Sequence, residues 1–187
     1  MTSAQIRFLS LVRREVNRFM EIKRQTVGAP LLETFLYISV FGAALGSRIK
    51  ELHGFDYVVF VIPGLIMMSW AVNAFSNNAS SILQQKFQRA IDDQLSSPAS
   101  PRELLLAFSL GGFLRGGIVA SITFVVAALV ADIGIAHPLV LIPGLFLVGF
   151  FFAQLGVLVG VAAEHFDDVS FAQQFILQPL IFLGGVF

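Results

Sequence analysis

Apolar stretches separated by short polar ones set the pattern of this chain: Pro30 to Ser47, Val58 to Leu83, Leu104 to Ala131, Leu139 to Ala163 and Phe171 to Phe187. A bilayer core about 30 Å thick needs roughly 20 apolar residues of helix to cross it. Four of the runs reach that length class and the fifth is cut by the chain end. The pattern therefore predicts an all-α polytopic membrane protein with five membrane helices in a single domain over residues 1–187. Ahead of the first run, Ile6, Leu9, Val12, Val16, Phe19 and Met20 recur at helical spacing while Arg7, Arg14, Arg18 and Arg24 occupy other angles. Residues 1–28 read as an amphipathic helix lying along the membrane surface. An ordinary solvated basic helix leading into the first span fits the same spacing.

Composition agrees with a chain dissolved in lipid: 56% of residues are hydrophobic, 13% are charged, and mean hydropathy is +0.81. The zero net charge hides an uneven distribution. Basic residues at 7, 13, 14, 18, 23 and 24 precede the first run, and Lys86, Arg89 and Arg102 lie between the second and third. Only Arg48 and Lys50 separate the first and second. The positive-inside rule then places the N-terminus, 84–103 and 164–170 in the cytoplasm, and 48–57 and 132–138 outside. The first apolar run follows a charged stretch of some two dozen residues, so a cleaved leader is not expected.

Polar residues inside the runs are the candidates for function. Ser69, Asn73, Ser76, Asn77, Ser80 and Gln84 trace one face of the second span, which should point into the protein or a wet pathway. Hydrogen bonding between helices explains the same face without any substrate. Arg115 lies deep in the third run among Gly111, Gly112, Gly116 and Gly117, and its charge demands an interior position. Glu33 stands near the inner end of the first span and reads as a polar anchor. Small pairs at Gly42/Gly46, Gly112/Gly116 and Gly156/Gly160 suit close helix approach. Ile62-Pro63-Gly64-Leu65 and Ile142-Pro143-Gly144-Leu145 open two spans, where a missing N–H is tolerated.

Between spans two and three, Phe87, Ile91 and Leu95 lie four apart, predicting a short amphipathic helix ended by Pro98 and Pro101. It offers either a docking surface or a solvated connector. Glu164, His165, Asp167 and Asp168 cluster in the last loop, and the cluster reads as a turn with an N-cap at Asp168 or Ser170, with no metal site. Much chemistry is excluded. With no cysteine there is no thiol chemistry, and with three lysines, none after a glycine, there is no P-loop. His53, His137 and His165 sit at span ends with no serine elbow, and nucleic-acid binding lacks a basic surface.

Several stretches resemble the ABC-2 type transport permeases, the membrane subunits of two-component bacterial ABC exporters. They are Phe41-Gly42 to Gly46-Ser47-Arg48-Ile49, Gly54 to Tyr57 with Phe60 to Met68, Lys86-Phe87-Gln88-Arg89, Phe166 to Ser170, and Pro179-Leu180 to Leu183-Gly184-Gly185-Val186-Phe187. The resemblance implies an interface helix, six spans per subunit and two subunits around a pathway, as a homodimer or a heterodimer. It also implies a separate ATPase subunit, which holds ATP and Mg, docked beneath them in the inner membrane. It maps the coupling loop onto 84–103, with Gln84, Lys86, Phe87, Arg89, Ile91, Asp92, Asp93 and Leu95 as the coupling residues, Phe87 the apolar anchor. Against that family the fifth span is incomplete and the sixth is missing, so the chain is expected to be C-terminally truncated. A self-sufficient secondary carrier using Glu33, Arg115 and the span-two amides is the alternative function.

Overall fold

In a computed structural model, the residues described are 3–22, 24–40, 51–52, 55–131, 134 and 137–184. Among them the protein is helical apart from a two-residue antiparallel ladder, β1 (Glu51–Leu52) with β2 (Phe55–Asp56). Helix α1 (Ser3–Glu21) leads through a π-turn, Arg24–Gly28, into α2 (Ala29–Val40). Three helices are long and apolar enough to cross a membrane: α3 (Tyr57–Phe87), α5 (Pro101–Val130) and α6 (Pro138–Ala162). The rest of the expected first span, 41–47, lies outside the described residues, as do Gly42, Gly46, Arg48, Lys50 and His53. The fifth run is helical through α7 (Phe166–Ala172), a π-turn at Gln173–Leu177 and α8 (Gln178–Leu183).

The long helix α3 is the axis, with α5 and α6 packed along it and α1 laid across one end of α5. Small residues allow this closeness. A Cβ at Gly112 would sit 2.5 Å from the Asn78 side chain, one at Gly116 2.5 Å from Trp70, and one at Gly156 would meet the Phe75 main chain. The glycine pairs on α5 and α6 are thus where those helices touch α3. Phe75, Ile62, Leu83 and Val61 fill the core between them. Outward faces are apolar: Leu129 is 83% exposed and Leu139 87%, a surface suited to hydrocarbon and not to water.

Two boundaries differ from the sequence reading. Pro63 and Pro143 lie inside α3 and α6, because each helix begins a turn and more earlier, at Tyr57 and Pro138. Each proline removes one internal hydrogen bond, a loss that neighbouring helices in a membrane absorb. The helix expected over Phe87, Ile91 and Leu95 is split: Phe87 ends α3, and Arg89 adopts the left-handed region at φ 55° before α4 (Ala90–Leu95) begins. A capping box then starts α5, with Ser100 Oγ accepting from the Glu103 N–H and Glu103 accepting from the Ser100 N–H.

Candidate functional site

At the α1 end of the bundle lies a buried polar cluster centred on Glu15, a residue that sequence reading passed over. Glu15 is fully buried, and its carboxylate takes hydrogen bonds from Ser81 Oγ at 2.6 Å, Gln85 Nε2 at 3.1 Å and Arg14 Nη2 at 3.0 Å. Arg18 Nε lies 3.4 Å from its other oxygen. Burial pushes the Arg18 guanidinium down from its ordinary value, against the pull of Glu15. Arg18 Nη2 donates to Asn77 Oδ1 at 2.7 Å, and Arg115 Nη1 reaches the same oxygen at 3.4 Å. Asn77 passes on to Asn78, whose amide donates to the Ala153 carbonyl of α6 at 2.8 Å. The cluster extends to α4, where Gln94 donates to Gln85 and accepts from Arg14 Nη2 at 2.8 Å.

The charged positions of α1 divide between protein contacts and the surface. Arg7, Arg14, Glu15 and Arg18 turn toward α3, α4 and α5, Arg7 pairing with Glu103 at 3.5 Å, while Ile6, Leu9, Met20 and Ile22 are exposed. The exposed stripe retains the amphipathic character that the spacing indicates. Arg7, Arg14, Glu15 and Arg18 contact protein groups while Arg13 and Glu21 are exposed, and Gly111 makes room for Glu15: a Cβ there would lie 2.8 Å from Glu15 Cβ.

The polar residues of α3 divide into two faces. Asn77, Asn78, Ser81 and Gln85 are buried in the cluster, whereas Ser69, Asn73, Ser76 and Ser80 are half-buried and Gln84 is exposed. Ser80 donates to the Ser76 carbonyl and Asn73 to the Ser69 carbonyl, so these groups satisfy themselves along their own helix. Ser76 also donates to Gln173 on the fifth run at 3.0 Å, and Thr34, Thr123 and Ser69 link α2, α5 and α3. Arg115 is interior, 9% exposed, and Glu33 is exposed on α2.

The corner between α3 and α5 is exposed but not loose. Phe87, 56% exposed, stacks on Phe166 at 5.3 Å, and Leu95, Arg89, Asp92 and Asp93 face outward, with Ile91 half-buried. Lys86 is already engaged, its Nζ donating to the carbonyls of Val161 at 2.6 Å, Ala163 at 2.7 Å and Gly160 at 3.4 Å at the end of α6. In the last loop the helix α7 starts before Asp168, so Asp168 caps from within the first turn: the Glu164 and His165 N–H groups both donate to Oδ2 at 2.9 Å and hold this carboxyl below its ordinary value. Ser170 instead bonds the Phe166 carbonyl. A separate apolar cavity of about 560 Å³ between α3, α5 and α6, lined by Trp70, Met67, Phe124 and Leu141 among others, includes none of the α3 polar stripe.

Residues 6–187 match the family model described as ABC-2 type transporter. The inner membrane transport permease YadH of Escherichia coli K12 is 38% identical over 178 residues, spanning 95% of this chain and 70% of that protein. Nodulation protein J of Rhizobium leguminosarum bv. viciae is 23% identical over 184 residues, 96% of this chain and 70% of that protein, and its namesake in Rhizobium meliloti 21% over 179, 95% and 68%. No solved structure matches. The family match, with three helices long and apolar enough to cross a membrane, makes this chain a membrane component of a transporter.

Proposed function

Because the chain belongs to the ABC-2 type transporter family, we propose that it is the permease subunit of an ATP-binding-cassette exporter in the bacterial inner membrane. Its N-terminus and α4 lie in the cytoplasm, a second copy completes the pathway, and a separate ATPase subunit holding ATP and Mg docks on the corner between α3 and α5. The observation that carries this reading is that corner. It pairs outward apolar side chains, Phe87 and Leu95, with the charges of Arg89, Asp92 and Asp93, while Gln94 and Gln85 tie α4 rigidly to the span. An exposed anchor on a stiff mount is what mechanical coupling requires, since displacement of α4 is carried along α3 and not absorbed in a loop. The half-buried stripe of Ser69, Asn73, Ser76 and Ser80, with Gln84 beyond it, is the pathway face.

Co-purification tests the assignment. Phe87→Ala and Arg89→Glu should insert normally yet lose the ATPase subunit; if either variant retains it at the wild-type level, the corner is not the docking site. The secondary-carrier alternative gains nothing from Glu33, which is exposed on α2.

A further inference from the structure

We infer that Arg18 and Arg115 form a binding site for the phosphate group of an anionic phospholipid, where α1 meets α3 and α5. The inference goes beyond the permease reading and does not depend on an ATPase partner. It starts from a charge imbalance. Glu15 is the cluster's one carboxylate among the described residues, and it is saturated by Arg14, Ser81 and Gln85 with Arg18 alongside. Arg115 is left with the Asn77 side-chain oxygen at 3.4 Å, which Arg18 already holds at 2.7 Å. Arg18 also donates to the Asn77 main-chain carbonyl at 3.0 Å, so Arg115 is left sharing one neutral side-chain oxygen with a guanidinium that is better held. The Nε atoms of Arg14, Arg18 and Arg115 are buried with no hydrogen-bond partner.

Arginine cannot shed its proton here, and a charge this deep in an apolar run is costly unless something meets it. A phosphate suits the arrangement, because its several oxygens can bridge two guanidinium forks where a single amide oxygen cannot. The surroundings select a lipid. Leu114 and Ile118, one and three positions from the buried Arg115, are exposed on α5, Leu32 and Leu36 are exposed on α2, and Met20 and Ile22 are exposed around the end of α1. A headgroup at the arginines leaves acyl chains against apolar walls.

The test uses the full chain in nanodiscs of phosphatidylcholine, alone or with phosphatidylglycerol, read by native mass spectrometry for retained lipid and by thermal unfolding. Wild type should retain phosphatidylglycerol and gain Tm from it. Arg115→Gln should lower retention about tenfold, the scale of one charge-assisted hydrogen bond, and abolish the gain, whereas Arg13→Gln, exposed on α1, should change neither. If Arg115→Gln does not accumulate, Arg18→Gln carries the same expectation. Inorganic phosphate that reproduces the gain in wild type and not in Arg115→Gln supports the oxyanion site with the free ion as ligand. Equal retention by variant and wild type overturns the inference, as does dimer loss in Arg115→Gln with retention unchanged, which would assign the counter-charge to a second copy.

Discussion

The hydroxyl of Ser81 donates to Glu15 Oε2 at 2.6 Å, joining the first helix to the axial helix across 66 positions of sequence. Since Gln85, Arg14 and Arg18 converge on the same carboxylate, this contact is the keystone of α1 docking.

Removing that acid should cost far more than removing an exposed one. Glu15→Ala leaves buried guanidiniums without their anion and is expected to lose about 3–5 kcal/mol. Glu33→Ala, on an exposed position of α2, should stay within about 0.5 kcal/mol of wild type. Thermal unfolding in detergent compares them; equal losses would contradict the burial of Glu15.

Helix contacts at glycine give a second contrast. Gly156→Val drives side-chain atoms into the Phe75 main chain and should cost about 1–3 kcal/mol or prevent accumulation. A Cβ at Gly144 meets nothing within 4 Å, so Gly144→Ala should be neutral or gain up to about 1 kcal/mol. Expression level and Tm of the two variants decide it.

Lys86 serves the end of α6. Lys86→Met withdraws an ammonium from three carbonyls and should cost about 1–2 kcal/mol, the scale of a cation at a partly buried helix C-terminus. Co-purification of an ATPase subunit should survive this change while Phe87→Ala abolishes it. Loss of the partner in Lys86→Met at unchanged Tm would mean the ammonium serves docking instead.

Asp168 gives a pH dependence of known sign. Two backbone N–H groups hold its folded value below the ordinary 3.8, so its contribution is present above that value and vanishes as pH falls through the lower folded one. Asp168→Asn should therefore melt below wild type at pH 7, and the gap should close in strong acid. A gap independent of pH would show that the carboxylate charge is not involved.

Much of this architecture was legible locally. Run length reveals spans, Gly112/Gly116 and Gly156/Gly160 reveal close approach, and the cost of a charge in hydrocarbon places Arg115 inside. Glu15 was hidden for a physical reason: apolar periodicity counts it as one more polar position on an amphipathic helix. Its lone negative charge between Arg14 and Arg18 was the available signal, but its partners Ser81 and Gln85 come from a distant segment. The α3 polar stripe likewise needs the packing to be read in full, since it joins a buried position, Asn77, to half-buried ones. Only the packing of α1, α5 and α6 separates Asn77 from Ser76.

The 31 residues of α3 have a consequence beyond crossing. At 1.5 Å rise each, the helix runs about 46 Å, against about 30 Å of hydrocarbon. The helix is therefore taller than the slab and extends past the hydrocarbon by about ten residues in all. If an ATPase subunit docks at Phe87 as proposed, the stiffness of this overhang sets how much of the partner's stroke reaches the far side.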